Sequence, residues 1–403
     1  MASTYRFLDY ELDVARFDLR RDGRVVHVEP QVIEVLAYLL EHRDRLVSKT
    51  ELLDAVWGDR FVSESALASR LMQARRAIGD DGHRQEMIVT VHGRGYRFVA
   101  SVSSTPSAPV PSAPTSSAAT PTRMDQEVRY CVAPDGTHVA YACAGTGPPL
   151  VKAANWLTHL EVEWSSPIWT HWLHELARDH RLVRYDERGC GLSDWDTAAF
   201  DVDSWVADLE LVVAAAGVEG AFPLLGISQG GAVAIAYAVR HPERVSRLVL
   251  VGAYVRGRLV RAASPEEREE AALDLELGKV AWRRDEDTFR QVFASQFLPD
   301  ATPDLWRAFN DLQRATTSTE NVVRFLEVFA HIDVTALAPR VRCPTLVVHA
   351  RGDLRVPRAQ AQEIAGLVPD SRLVTLESRN HILTATEPAW PGFLEEVRRF
   401  LAG

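Results

Sequence analysis

Ser228 stands at the centre of Gly226-Ile227-Ser228-Gln229-Gly230, between an apolar run, 222–225, that reads as a buried strand and a stretch, 232–239, that reads as a helix. A strand that turns straight into a helix strains the backbone of the turning residue. The flanking glycines are needed because a Cβ there would strike the neighbouring strand and helix. The turn holds the Ser228 hydroxyl clear of the sheet, at a helix N-terminus whose free amides favour negative charge. A serine hydroxyl is a poor nucleophile until a base takes its proton, and the base needs an acid to hold its tautomer. Asp353 lies just past a strand candidate at 345–349, and His381 just past another at 372–376. Groups at the carboxyl ends of parallel strands meet on adjacent loops. The three side chains therefore read as nucleophile, orienting acid and base. A glycine-rich turn without chemistry shares the G-x-S-x-G pattern, so the partners carry the assignment.

The elements that must position these groups alternate along residues 124–403. Strand candidates fall at 128–132, 138–142, 150–153, 181–185, 222–227, 247–251, 345–349 and 372–376, with helical patterns near 167–179, 202–216, 229–241, 358–367 and 389–402. This alternation predicts an α/β fold, a mostly parallel sheet covered on both faces, with an antiparallel start through Asp135-Gly136. Residues 255–338 break the rhythm as an amphipathic, aromatic-rich helical insert, which reads as a lid.

With Tyr185-Asp186-Glu187-Arg188-Gly189-Cys190-Gly191-Leu192-Ser193 and His241-Pro242-Glu243-Arg244-Val245 added to the elbow, residues 128–402 resemble the α/β-hydrolase superfamily. The resemblance implies the order serine, acid, histidine, which Ser228, Asp353 and His381 follow. It also implies an oxyanion hole from the backbone amide of Gln229 and one from the loop after the third strand. Relatives carry His-Gly-x there; this chain has Ala154-Asn155-Trp156, so Trp156 becomes the second donor. That loop is expected to crowd the site with Trp156, Trp164 and His159. Serine rather than aspartate at the elbow sets the chain apart from epoxide hydrolases and haloalkane dehalogenases. It favours hydrolysis of an ester, thioester, lactone or C–C bond, with no metal or organic cofactor implied.

Residues 1–100 form a separate unit. Short strands are expected around 5–8 and 17–19, with Asp22-Gly23 as a turn, then a helix from Pro30 to Glu41. Ser48 caps a second helix with Glu51 as its capping-box partner, ended by Gly58. A third helix runs from Ser63 to Ile78, with Leu67, Leu71, Ala74 and Ile78 on one face. Its opposite face carries Ser65, Ser69, Met72, Gln73 and Arg76, with Arg70 and Arg75 at the margins. A hairpin follows, tipped by Gly93-Arg94-Gly95. Three elements in this order (Leu52-Leu53-Asp54-Ala55-Val56-Trp57, Arg75-Arg76-Ala77-Ile78-Gly79-Asp80-Asp81 and Gly93-Arg94-Gly95-Tyr96-Arg97-Phe98) resemble the winged helix-turn-helix domain of OmpR/PhoB- and CadC-type transcription regulators. The resemblance implies that the third helix enters the major groove and that the wing tip reaches an adjacent minor groove or its phosphates. Ser65, Ser69, Met72 and Gln73 would then meet base edges, while Arg70, Arg76, Arg94 and Arg97 would meet phosphates. Acids and bases nearly cancel here, so two copies on neighbouring half-sites, a homodimer, would suit DNA binding.

Residues 101–123 are Ser, Pro, Ala and Thr almost throughout and read as a linker, spanning roughly 25 Å as a flexible coil. The 403 residues carry a net charge of −10, which argues against a diffuse nucleic-acid binder and for a local DNA-binding patch. No apolar run is long enough to span a bilayer, and Met1–Arg6 lacks a signal-peptide layout. Cys131, Cys143, Cys190 and Cys343 lack metal-ligand spacing and read as reduced thiols, so a cytoplasmic protein without metal is expected. Three readings remain open: a regulator whose hydrolase module binds and cleaves a small molecule, an inactive hydrolase-fold receptor that controls DNA binding, and a working hydrolase merely localised by its DNA-binding domain.

Overall fold

The computed structural model describes residues 3–14, 18–22, 24–26, 30–57, 64–80, 84–91, 94–106, 126–283 and 287–403. The chain divides into two compact units, residues 1–118 and 119–403.

In the first unit an antiparallel sheet runs in the order Arg24–Val26, Asp18–Arg21, Tyr10–Asp13, Ser3–Phe7, Ser103–Pro106. Its last strand falls within the segment expected to be linker. Arg6 lies opposite Ser103, and Ser3 opposite Pro106. An edge strand needs backbone hydrogen bonds rather than a core-filling side chain, so a Ser/Thr/Pro segment can take that place. The helices Pro30–Glu41, Lys49–Trp57 and Glu64–Ala77 follow, then the hairpin of Ile88–Val91 and Gly95–Phe98. The Ser48 hydroxyl accepts the Glu51 amide at 3.1 Å, as the capping pattern requires. Leu36, Leu39, Leu40, Leu52, Leu67, Leu71, Ala74 and Ile78 are buried in one core with Leu12, Leu19, Ile88 and Phe98. The expected turn glycine Gly23, helix stop Gly58 and wing-tip Gly93 lie outside the described residues.

The second unit is built on an eight-stranded sheet in the order Ser371–Leu376, Thr345–Ala350, Val245–Val251, Phe222–Ile227, Pro149–Lys152, Arg181–Tyr185, His138–Ala144, Gln126–Val132. Neighbours are parallel except at the last two, where Gln126–Val132 and His138–Ala144 form the antiparallel start. From Pro149–Lys152 the chain moves to one side, to Arg181–Tyr185, and then crosses to Phe222–Ile227 on the other. The carboxyl ends on either side of such a reversal form a crevice. The crossover and flanking helices are Thr170–Asp179, Val202–Ala215, Gly230–Arg240, Arg358–Leu367 and Ala389–Ala402, and a short helix, Leu160–Ser165, was not anticipated. Between Val245–Val251 and Thr345–Ala350 the insert is helical: Arg258–Arg261, Pro265–Arg283, Asp287–Phe297, Pro303–Thr316 and Thr319–His331. Among the described residues no helix is long and apolar enough to cross a membrane.

Candidate active site and nucleic-acid surface

Ser228 follows Phe222–Ile227 directly and takes φ +53°, a left-handed conformation that a residue with a Cβ rarely adopts. Its amide donates to the Val251 carbonyl of the adjacent strand at 2.9 Å, and Gly231 donates to its carbonyl at 3.0 Å. The glycines permit this turn for a steric reason. A Cβ on Gly226 would stand 2.7 Å from the Cα of Gly231, and one on Gly230 would stand 2.4 Å from the Ala154 carbonyl oxygen.

Asp353 and His381 sit past the ends of Thr345–Ala350 and Ser371–Leu376, and His381 Nδ1 lies 2.7 Å from Asp353 Oδ2. Asp353 Oδ1 accepts from the amides of Arg355 at 2.8 Å and Val356 at 2.9 Å, so both oxygens have fixed partners. Burial opposes ionisation of Asp353, yet the facing His381 and the hydrogen bonds hold its carboxyl below the ordinary value. With Nδ1 turned to a carboxylate, the imidazole keeps its proton there and leaves Nε2 as the basic atom. Nε2 is buried and has no hydrogen-bond partner among the described residues. Gly252 links the groups: it follows Val251, which receives the Ser228 amide, and a Cβ on it would stand 2.9 Å from His381 Cε1.

Of the two amides expected to hold an oxyanion, that of Trp156 is already engaged. Gln229 follows Ser228, and its side-chain Oε1 accepts the backbone N–H of Trp156 at 3.0 Å. Gln229 Nε2 is buried without a hydrogen-bond partner among the described residues. Asn155, standing where relatives carry glycine, is buried and its Oδ1 accepts from the buried Lys152 ammonium. The Trp156 ring is 5.7 Å from Phe293, 6.3 Å from Phe297 and 5.9 Å from Phe329, all in the lid, and its Nε1 donates to Gln313 at 2.8 Å. Trp164 and His159 do not crowd this site. Neither lines the cavity beside Ser228: Trp164 packs on His174, and His159 caps Leu160–Ser165.

A cavity of about 50 Å³ opens beside Ser228, walled by Trp156, Gln229, Tyr254, Phe297, Leu326 and Phe329. Sites that enclose drug-sized ligands hold roughly 300–1,000 Å³. This one fits a small molecule. Among the described residues no group of three His, Cys, Asp or Glu is placed to hold a metal ion.

In the first unit, Met72 is 65% exposed on Glu64–Ala77, with Arg76 exposed and Arg70 half-buried. Arg94 and Arg97 are exposed on the hairpin, and Arg97 Nε makes a long 3.4 Å contact to the Arg43 carbonyl. The side chains of Ser65, Ser69 and Gln73 lie outside the described residues. Arg75, read as marginal to the DNA face, is buried. Its guanidinium donates to the Ile88 carbonyl at 2.8 Å and to Thr90 Oγ1 at 2.7 Å, binding the third helix to the wing.

The family model described as alpha/beta hydrolase fold matches residues 157–388. The chain belongs to the alpha/beta hydrolase fold family. A second family model, transcriptional regulatory protein, C terminal, matches residues 23–98, so a DNA-binding domain of the OmpR/PhoB type precedes the hydrolase domain. The chain is 26% identical over 261 residues to a putative carbamate hydrolase RutD from Pseudomonas savastanoi pv. phaseolicola, covering 62% of this chain and 93% of that protein. It is 28% identical over 268 residues to a pyrrolizixenacetamide deacetylase from Xenorhabdus hominickii, covering 65% and 94%. Among solved structures, the esterase RhEst1 from Rhodococcus sp. ECU1013 superposes with a TM-score of 0.56 at 26% identity, over 68% of this chain and 98% of that one.

Within this alpha/beta hydrolase domain several placed groups carry no linear signal. His349 Nε2 lies 2.8 Å from the Val356 carbonyl and 3.7 Å from Asp353 Oδ2, and burial lowers its pKa. Arg258, Arg261, Asp274 and Arg355 line the cavity with Ser228. Glu187 is fully buried with both carboxyl oxygens unpartnered among the described residues. Arginines and acids on amphipathic helices ordinarily cover a solvated face, so only the packing of the lid reveals them.

Proposed function

We propose that the chain is a DNA-binding transcription regulator whose hydrolase domain binds a small acyl substrate and hydrolyses it through Ser228, His381 and Asp353. One observation carries the reading: a serine held at φ +53° beside a cavity, at the same rim as an imidazole fixed 2.7 Å from a buried carboxylate. In the proposed reaction Ser228 Oγ bonds to the carbonyl carbon while its proton passes to His381 Nε2. The C–X bond of the tetrahedral intermediate then breaks, and the leaving group departs with that proton. Water, giving a proton to His381, attacks the acyl-enzyme, and Ser228 recovers its hydrogen as the acid leaves. Asp353 keeps the imidazole oriented and stabilises its charged form. The amides of Gln229 and Trp156 would stabilise the oxyanion, which requires the Gln229 side chain to leave the Trp156 amide. Relatives named as a carbamate hydrolase, a deacetylase and an esterase support acyl transfer to water.

The contact between Gln229 and Trp156 also favours a second reading, a receptor that binds without turnover, because it fills one oxyanion donor. A fluorophosphonate probe separates the two. Labelling of the full chain that disappears in Ser228→Ala supports the enzyme; absence of labelling with retained ligand-dependent DNA binding supports the receptor. For the DNA half, gel shifts on the gene's own upstream DNA are expected to weaken steeply as salt rises.

A further inference from the structure

We propose that the molecule bound beside Ser228 carries a carboxylate on its non-reacting end, received by Arg261 with Arg258 and Arg355. This deepens the reading above and rests on that cavity being the ligand site. The three arginines line the cavity together with Ser228, and among the described residues Asp274 is the one carboxylate that lines it with them. Asp274 is already engaged on both oxygens. Oδ2 pairs with Arg258 at 2.7 Å and Arg355 at 3.2 Å, and Oδ1 accepts from Gln296 Nε2 at 3.0 Å. Arg355 donates further to Gln296 Oε1 at 2.8 Å, and its guanidinium lies 5.2 Å from the ring centre of Phe293 and 5.1 Å from that of Phe297.

Arg261 differs from the other two. It follows Arg258 by three residues on the short helix Arg258–Arg261, so both project from one side. Its guanidinium lies 6.0 Å from the Tyr254 ring centre, and it forms no ion pair with a described residue. Burial first, and then the neighbouring Arg258, pull its pKa down to about 10, and burial with Arg355 lowers that of Arg258. A purely structural role accounts for Arg258 and Arg355, which clamp the lid helix Pro265–Arg283 through Asp274. It leaves Arg261 without an ion-pair partner among the described residues. Three guanidiniums facing one carboxylate inside an aromatic-walled cavity repel one another, and an entering anion offsets that cost. A planar carboxylate is the anion that the guanidinium fork fits by two parallel hydrogen bonds.

The test compares two esters of similar length on the full chain: the anionic mono-p-nitrophenyl glutarate and the neutral p-nitrophenyl valerate. The readout is the ratio of their kcat/KM values, corrected for spontaneous hydrolysis. The wild type is expected to favour the anion by about tenfold or more, Arg261→Gln to bring the ratio near one, and Arg261→Lys, which keeps charge but not the fork, to fall between. A wild-type ratio of one or below overturns the proposal, whether or not the variants fold; so does a preference that survives in folded Arg261→Gln. If neither ester turns over, the hydrolytic reading fails by itself, and calorimetry decides the binding claim. Monomethyl glutarate binding while dimethyl glutarate does not, with loss in Arg261→Gln, supports it; equal binding of both, or of neither, overturns it.

Discussion

Arg76 and Arg94 of the DNA-binding unit are exposed, whereas Arg184 and Arg188 of the hydrolase unit are each 3% exposed and closed in ion pairs with Glu163 at 2.8 Å and Asp208 at 2.6 Å. The same side chain serves two different physical purposes. An exposed guanidinium remains hydrated and screened, and contributes chiefly by displacing counterions from a phosphate backbone. A buried one needs an opposite charge beside it, and in return fixes the loops around it. Arg188 reaches Asp135 as well as Asp208, tying the antiparallel start of the sheet to the loop after Arg181–Tyr185. Arg75 and Arg76 show that the contrast does not simply follow the domain boundary: adjacent on one helix, one is buried against the wing and the other is exposed. What decides the role of a charge is its burial, and the catalytic proposal belongs to the buried, pre-organised kind.

The sharpest way to break this comparison is to remove the proposed nucleophile. Ser228→Ala is expected to lower ester turnover by about 10⁴-fold or more, measured by p-nitrophenyl release, while the gel shift without ligand is unchanged. Retained turnover would remove Ser228 from the chemistry. Asp353→Asn is expected to cost about 10³–10⁴-fold in kcat by giving His381 the wrong tautomer, with little change in the far-ultraviolet dichroism.

Stability effects come next. Burial first, and then the nearby Asp208 charge, push Glu187 up to about 8. Between its ordinary value of 4.5 and 8, the folded chain therefore holds a proton that the unfolded chain has released. Stability falls as pH rises through that window. Glu187→Gln is expected to behave like wild type at pH 5 and to be stabilised by about 2 kcal/mol near pH 8–9, read as a melting-temperature gain that grows with pH. A gain independent of pH would refute the titration. Arg75→Met is expected to destabilise the first unit by about 2 kcal/mol by leaving the Ile88 carbonyl unpaired, whereas Arg76→Met leaves its melting unchanged. The smallest effects belong to the exposed arginines: Arg76→Ala and Arg94→Ala should each weaken DNA binding severalfold and reduce the salt slope by about one. An unchanged slope would place these side chains off the phosphates.

Much of this architecture was legible because local rules coincide with the global answer. The elbow has glycines where a Cβ cannot fit, the apolar runs have strand length, and the lid announces itself by breaking the strand–helix alternation. The winged unit was readable for the same reason, since Ser48 caps a helix whose apolar face meets the core. The strand Ser103–Pro106 escaped notice because backbone pairing at a sheet edge leaves no mark in composition.

The sequence by itself determined the order of units, the α/β frame and three residue types poised at strand ends. Those depend on periodicity and on steric limits that neighbouring residues impose. Tertiary structure alone decided that Gln229 covers the Trp156 amide, that Trp164 and His159 do not line the cavity, that Arg75 is internal, and that three arginines gather beside Ser228. Each depends on which distant segment arrives at a given surface, and burial, which sets the meaning of a polar side chain, is a property of that arrival rather than of the residue.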